Sequence, residues 1–396
     1  MDIFRKKQLD KLSEIPIYFS HKIYLKKLIQ ELNINRMVIL SWHHKTWKIA
    51  LIKELILKTK LQNKVFLFNK DYLVNQKLNW KDLINIFNDS LKYDNNIKLI
   101  VLNNFNKIID IKYFIQYIHS HENKLKIILI WNSIQIPGVT ELEFVPNNRN
   151  IIPLVNSLEE SFTFWSLPNI SRSTDYYWKK SLLDLIVNEM YLNEIFINFW
   201  VKDIELYQFT MTYLSKINNC LSLRELQKWL SQIQQITLKT TIDYINFSIR
   251  AKIIKPITRY DFKKQKIISS RIQYYFTDTW IRNSISKYSL SLRELKENFL
   301  YQELAYQGYE INSWLNWAFD FTFYCKRTSE EACFHYSEVN EKSELKKEIN
   351  KLNKVPVTWK KYLIVDSIED FWIKKLQYED VEIVDYENIF QKLEIK

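Results

Sequence analysis

The sequence predicts an α/β protein in three parts. In the first third of the chain, short apolar runs alternate with amphipathic helical stretches, which is typical of a parallel sheet with crossover helices. Helices then dominate until a basic hairpin, and strand-like runs return near residue 271. A chain of 396 residues can hold two or three domains. We therefore predict boundaries at 1–150, 151–270 and 271–396.

The first part is predicted to carry four strands buried on both faces, because each run is apolar throughout. These runs are Met37–Leu40, Val65–Phe68, Leu99–Leu102 and Ile127–Ile130. Helices are predicted between them at Ile49–Thr59, Trp80–Leu91 and Ile111–His119. The order of elements is that of βαβ units.

The second part shows the order helix, helix, hairpin, which is that of a winged helix. Ser222 and Glu225 form a capping-box pattern, and Thr237–Arg250 has helical spacing of apolar residues. A basic hairpin is predicted over Ile253–Ile268, turning near Lys263.

The third part is predicted to be mixed α/β. A helix over Leu292–Gln307 ends at Gly308, the expected helix cap. Strands are predicted at Ile272–Phe276, Phe319–Cys325, Cys333–Tyr336 and Tyr362–Val365.

Composition excludes several classes of protein. No apolar run reaches the roughly 18 to 20 residues of a membrane helix, so we expect no membrane span. The first residues lack a signal core, and the three Cys show neither metal-ligand nor disulfide spacing, so a cytoplasmic protein without a metal site is expected. The net charge of +12 suits an anionic partner, although abundant Lys, Ile and Asn are equally typical of an AT-rich genome.

A candidate phosphate loop follows the first strand. A strand, a loop and a helix N-terminus can hold phosphate through backbone N–H groups and one Lys, if Gly stands at both ends of the loop. Lys48 stands at the Lys position, but Trp42 and Trp47 occupy both Gly positions and Ile49 replaces the hydroxyl residue. Between them lie His43, His44, Lys45 and Thr46. His43 and His44 either donate to phosphate or are merely the variable residues of the loop.

Four further segments complete a family pattern: Ile97–Phe105, Ile127–Ser133, Tyr274–Arg282 and Glu297–Glu310. With them the chain, from about residue 15 to 390, resembles prokaryotic AAA-type ATPases with a DUF4143-like C-terminal domain. The resemblance implies a P-loop NTPase (AAA-like) domain, a winged-helix connector and a restriction-endonuclease-like α/β domain. It also implies ATP bound by residues 42–49 and Asn132, with Mg²⁺, and a homo-oligomer. Asn103 and Asn104 stand at the Walker B acid positions.

The composition offers an explanation for the tryptophans. The chain has two Gly and thirteen Trp. Trp occupies positions 42, 47, 131, 280 and 314, where the family has Gly. We hypothesise that UGA codons decoded as Gly in the source organism are rendered as Trp here. If Trp is genuine, its Cβ and indole block the loop, which is then a strand-to-helix turn with buried aromatics.

Hydrolysis is expected to be slow or absent. Mg²⁺ needs a loop hydroxyl and a carboxylate after the third strand, but Ile49 has no oxygen and Asn103 and Asn104 are neutral. In the last part, Asp320 matches a nuclease carboxylate but no Glu-x-Lys follows, so nuclease activity is not expected.

The favoured interpretation is therefore a nucleotide-dependent switch that binds ATP. An alternative is a DNA-binding winged-helix protein that has lost nucleotide binding, and a third is a decayed gene product. The candidate DNA contacts are Lys239, Arg250, Arg259, Lys263, Lys264 and Lys266. The same residues are equally expected of a solvated surface on a lid or linker.

Overall fold

The computed structural model describes most of the chain. The described residues are 3–15, 22–41, 48–69, 78–93, 96–105, 108, 110–121, 125–131, 136, 139–143, 160, 162, 170, 175–217, 220–261, 264–314, 322–327, 330–339, 341–355, 358–366 and 380–392. The chain divides into two compact units, Met1–Pro146 and Asn147–Lys396, called the first and second unit below.

The first unit is a five-stranded parallel sheet with helices between its strands. Its elements are α1 (Ile3–Glu14), α2 (Lys22–Ile34), β1 (Met37–Ser41), α3 (Lys48–Lys58), β2 (Val65–Asn69), α4 (Trp80–Tyr93), β3 (Leu99–Asn103), α5 (Ile111–His121), β4 (Lys126–Ile130) and β5 (Thr140–Glu143). The strand order is β2-β3-β4-β1-β5, and every pairing is parallel. The four predicted strands and three predicted helices are confirmed, with bounds that differ by one or two residues.

Burial explains why these strands were recognisable. All five residues of β1, β2 and β3 are buried, as expected when helices cover both faces of a parallel sheet. One side of the sheet packs around Phe66, Phe87 and Phe114, whose rings meet edge to face. The sequence did not predict β5, because Thr140–Glu143 is short and carries two Glu.

The second unit begins with helices. These are α6 (Tyr176–Met190), a π-helix (Tyr191–Phe196) that runs into the helical residues Ile197–Phe199, α7 (Ile204–Lys216), α8 (Leu223–Leu230) and α9 (Leu238–Arg250). The capping box of Ser222 and Glu225 is present at the start of α8, and the Thr237 side chain caps α9. None of the helices in the described part of the chain is long and apolar enough to span a membrane.

A seven-stranded mixed sheet forms the rest of the second unit. Its elements are β6 (Ile254–Asp261), β7 (Lys266–Phe276), α10 (Thr279–Ile285), α11 (Leu292–Tyr306), β8 (Glu310–Trp314), β9 (Thr322–Arg327), β10 (Glu330–Tyr336), α12 (Lys342–Leu352), β11 (Lys360–Val365), β12 (Glu382–Asp385) and α13 (Tyr386–Lys392). The strand order is β12-β11-β10-β9-β8-β6-β7. Gly308 ends the α11 region with a φ of 79°, as its cap role predicts.

One sequence prediction needs correction. The hairpin and the run Ile272–Phe276 are not separate, because β7 is one strand of 11 residues that forms the second arm of the hairpin. The register of the β6–β7 pair shifts between Ile257 and Arg259 of β6. This irregularity divides the apolar pattern of β7 into two runs. Residue 270 lies inside β7, so one sheet takes strands from both sides of that boundary. The division into a connector and a C-terminal domain stays a prediction.

Candidate nucleotide site

The candidate site lies at the carboxyl edge of the parallel sheet in the first unit. Strand β1 ends at Ser41 between β4 and β5, and helix α3 begins at Lys48. Open α/β sheets bind ligands outside the carboxyl ends of their strands. Residues 42–47, which include Trp42, His43, His44, Lys45, Thr46 and Trp47, lie outside the described residues, as does Asn132.

Lys48 is the first residue of α3 and is 8% exposed. The N-terminus of a helix carries a positive partial charge, so an anion at this position is attracted both by the helix and by the Lys48 ammonium. Ile49 follows it and is partly buried. The geometry therefore suits an anion near Lys48, whereas Ile49 brings no metal ligand.

Amide side chains occupy the ends of two neighbouring strands. Asn103 ends β3, is 6% exposed and pairs in register with Asn69 at the end of β2. Asn104 follows with a φ of 50°, a left-handed conformation that Asn adopts more readily than most residues. The structure thus brings the two predicted Asn to the carboxyl edge, and they offer no carboxylate for Mg²⁺. No sequence pattern had marked Asn69 as a site residue.

A carboxylate that sequence analysis also missed lies on the other side of β1. The Ser41 hydroxyl donates to the Glu141 carboxylate of β5. Parallel pairing of β1 with β5 sets Ser41 opposite Glu143 and Ile39 opposite Glu141. This contact ties the last residue of β1, immediately before the candidate loop, to an edge strand. Only the register of β5 reveals it, and the sequence alone did not predict that strand.

Trp131 stands at one of the positions where Gly was expected, and its indole packs against a neighbouring ring. It follows β4, and its ring packs on Phe105 with centroids 5.0 Å apart. Its indole N–H is buried and has no acceptor among the described residues. Trp280, by contrast, is fully buried within the core of the second unit and lies in helix α10, where any residue fits the backbone.

The candidate DNA contacts are only partly brought together. Lys239 and Arg250 are exposed on α9, and Lys264 and Lys266 are exposed at the hairpin turn. The Arg250 guanidinium lies 4.9 Å from the centre of the Phe199 ring. Arg259 is 9% exposed inside the sheet, and its assignment as a DNA contact stays a prediction. Lys263 lies outside the described residues.

A buried polar network in the second unit joins two segments that the sequence analysis singled out, Tyr274–Arg282 and Glu297–Glu310. The Tyr275 hydroxyl donates to Glu297, and the Asn298 and Gln302 amides donate to the carbonyls of Phe276 and Thr277 at 3.0 and 2.9 Å. Burial raises the pKa of Glu297 to about 8, an increase that the nearby Arg282 charge and the Tyr275 hydroxyl limit. These contacts fasten the end of β7 to α11.

In the region that the sequence predicts to be nuclease-like, the described residues include a largely buried pair of His335 and Glu348. Asp320 lies outside the described residues. The His335 ring bonds Glu348 at 2.6 Å; burial alone would raise the pKa of Glu348, but hydrogen bonds from His335 and Lys351 lower it to about 2. Within the described ranges, no group of three or more His, Cys, Asp or Glu side chains could hold a metal ion. Cys325 pairs with Ala332, and Cys333 with Tyr324, so the two thiols lie on opposite faces of the β9–β10 pair.

No family model matches the chain, and no curated protein matches it. Among solved structures, a Walker-type ATPase of Pyrococcus abyssi is similar with 11% identity and a TM-score of 0.46, over 67% of this chain and 95% of that one. The Aeropyrum pernix ORC1 protein, in complex with DNA, is similar with 12% identity and a TM-score of 0.33, over 72% and 96%. Cdc6p from Pyrobaculum aerophilum has 12% identity and a TM-score of 0.32, over 73% and 98%. Likenesses of this degree do not carry over what those proteins bind.

Proposed function

We propose that the chain binds ATP at the carboxyl edge of the first unit and acts as a nucleotide-dependent switch with slow or absent hydrolysis. The observation that carries this proposal is the position of Lys48, buried at the first residue of α3 and directly after the candidate loop. Helix N-terminal N–H groups and one ammonium are the groups that hold phosphates in such loops. ATP phosphates would be attracted by both.

The neutral amides at the described ends of β2 and β3 support weak hydrolysis. The described ends of β2 and β3 carry Asn69 and Asn103, and α3 carries Ile49 after Lys48. An amide can orient water or weakly bind a cation, but it cannot act as a base. These residues fit a nucleotide phosphate better than a Mg²⁺ ion.

The identity of residues 42 and 47 decides whether this site is open. We infer that both are Gly in the protein made by its native host. Peptide mapping of that protein tests this inference: Gly at both positions supports it, and Trp at either position, or TGG codons in the gene, contradicts it. Recombinant protein for the nucleotide titrations then carries Trp42→Gly and Trp47→Gly.

The nucleotide proposal is tested by titrating a fluorescent ATP analogue into that protein, with and without Mg²⁺. Lys48→Ala is expected to weaken binding at least tenfold, because a charged hydrogen bond contributes about 1.5 to 3 kcal/mol. Lys58→Ala, at the opposite end of the same helix, is the matched control and is expected to leave the affinity unchanged. Equal affinities for Lys48→Ala and the unsubstituted protein would contradict the proposal.

DNA binding is the second candidate. Lys239, Asn246 and Arg250 are exposed at positions that share one face of α9, and α8 and α9 are joined by a short connection, as in helix-turn-helix proteins. Fluorescence anisotropy with duplex DNA is expected to show affinity that falls with salt. Lys239→Ala should reduce the logarithmic salt slope by about 1, whereas Lys346→Ala on α12 should not. An unchanged slope would exclude α9 as the contact surface.

Location and assembly follow from the same interpretation. We propose a cytoplasmic protein that forms homo-oligomers, with a C-terminal part of the DUF4143-like, restriction-endonuclease-like type without nuclease activity. The buried network around Glu297 supports a structural role for the residues of that part.

A further inference from the structure

A cavity of about 380 Å³ lies in the second unit between α6, α7 and the end of α10. Its volume is near the lower end of the range for small-molecule sites. The side chains of Val187, Phe209 and Ile285 give it an apolar wall, and Asp184, Glu205 and Lys287 give it charge. None of these residues belongs to the proposed nucleotide or DNA sites.

One carboxylate of the cavity is held in place by hydroxyl groups. Asp184 Oδ1 accepts from the Ser284 hydroxyl at 2.6 Å and from the Tyr288 hydroxyl at 3.3 Å. Glu205, in the first turn of α7, is exposed and adds a second carboxylate. The cavity therefore presents two negative charges, one of them fixed in orientation before any ligand arrives.

The positive charge is carried by a residue with an unusual backbone. Lys287 and Tyr288 have φ values of 60° and 57°, and their N–H groups donate to Ser284 O and Asn283 O at 3.0 and 2.8 Å. These two bonds are those of a helix C-terminal cap at the end of α10, and the left-handed backbone costs roughly 1 to 2 kcal/mol in a residue that is not Gly. This turn places Lys287 beside the cavity.

The opposite charges that line the cavity are not joined in an ion pair. Within residues 175–217 and 264–314, no ion pair joins Lys287 to Asp184 or Glu205. A ligand that carries both charges would satisfy both sides. The wall also contains Tyr191, the first residue of the π-helix. Turns of π-helix are rare in proteins, and those that occur are frequently found at functional sites.

We propose that this cavity binds a free amino acid with an apolar side chain. The ammonium group of the ligand is received by Asp184 and Glu205, and its carboxylate is received by Lys287. The side chain packs on Val187, Phe209 and Ile285. Charged hydrogen bonds of this kind are the stronger class, and a zwitterion makes them at both ends.

The test is calorimetric titration of the full chain with L-leucine, 3-methylbutylamine and 4-methylpentanoate. The last two lack the carboxylate and the ammonium of leucine, respectively. Leucine is expected to bind at least tenfold more tightly than either. Absence of leucine binding at millimolar concentration, or equal binding of the amine or the acid, would overturn the proposal. L-phenylalanine and L-aspartate serve as a further pair, and aspartate is expected to bind more weakly.

Two variants locate the binding. Glu205→Gln and Lys287→Asn are each expected to weaken leucine binding at least tenfold, and Asn is chosen because it tolerates the left-handed backbone. Glu338→Gln and Lys228→Gln, which remove exposed charges elsewhere in the second unit, are the matched controls and should bind leucine as the unsubstituted chain does. Glu205 is exposed, so its substitution does not disturb folding. Unchanged affinity in both cavity variants would refute this location.

Discussion

At the scale of single residues, Trp200 is the clearest conflict between side chain and backbone. It follows the helical residues Ile197–Phe199 with φ 54° and ψ 44°, and 86% of its surface is exposed. This is the helix-ending position that Gly prefers, because the Cβ of an L-residue is crowded in the left-handed region. Residue 200 is not among the Gly positions expected from the sequence, since no motif covers it.

We predict that Trp200→Gly stabilises the protein by about 1 kcal/mol, because it relieves the left-handed strain and removes an exposed indole without opening a cavity. Urea denaturation followed by circular dichroism measures the change. Trp178→Gly is the matched control, because Trp178 is also exposed but lies in α6 with helical geometry. The substitution Trp178→Gly should not raise the free energy of unfolding. A loss of stability in Trp200→Gly would show that the indole has a role of its own.

Glu297 gives a pH-dependent prediction. Its pKa is raised from 4.5 to about 8 by burial, so between these values the folded protein keeps a proton that the unfolded chain has released. The free energy of unfolding should therefore fall as pH rises through this window, by about 1.4 kcal/mol per unit of pKa difference. Glu297→Gln should flatten that slope, measured by denaturation from pH 5 to pH 8.

The exposed Glu338→Gln provides the comparison for Glu297 and should keep the original slope. An identical slope in both variants would mean that Glu297 is ionised in the folded protein.

At the scale of elements, the contact between β1 and β5 fixes the start of the candidate loop. The hydroxyl of Ser41 has its acceptor on Glu141, so Glu141→Ala should lower the free energy of unfolding of the first unit by about 1 kcal/mol. Glu141→Gln keeps an acceptor oxygen and should lose less. A double-mutant cycle with Ser41→Ala measures the coupling, and additive losses would show that the pair does not interact.

The elements also show where sequence is informative. Strands β1 to β4 were predictable because both faces are buried and nearly every residue is apolar. Strands β8 and β12 contain polar positions such as Asn312 and Glu382, so their pairing rather than their composition defines them. The single strand β7 appeared as two runs because its irregular register interrupts the alternation.

At the scale of the whole molecule, the candidate nucleotide site was predictable only in part. The loop position and Lys48 follow from a local pattern, and the order of strands along the chain brings Asn103 to the same edge. The tie between Ser41 and Glu141 joins residues 100 positions apart, and the cavity beside Lys287 joins α6, α7 and α10. Neither leaves a local signal, because tertiary packing creates both.

A switch differs from a binding module in that nucleotide must change both units. ATP at one hundred times its dissociation constant should stabilise the first unit by about 2.7 kcal/mol, which slows amide hydrogen exchange in β1, β3 and α3. A switch also requires altered exchange in the second unit, from residue 147 onward. Exchange is measured by mass spectrometry on the protein that carries Trp42→Gly and Trp47→Gly, and adding Lys48→Ala to it provides the control. Protection confined to residues 1–146 would show nucleotide binding without switching, because a ligand with no differential effect on the second unit shifts no equilibrium there.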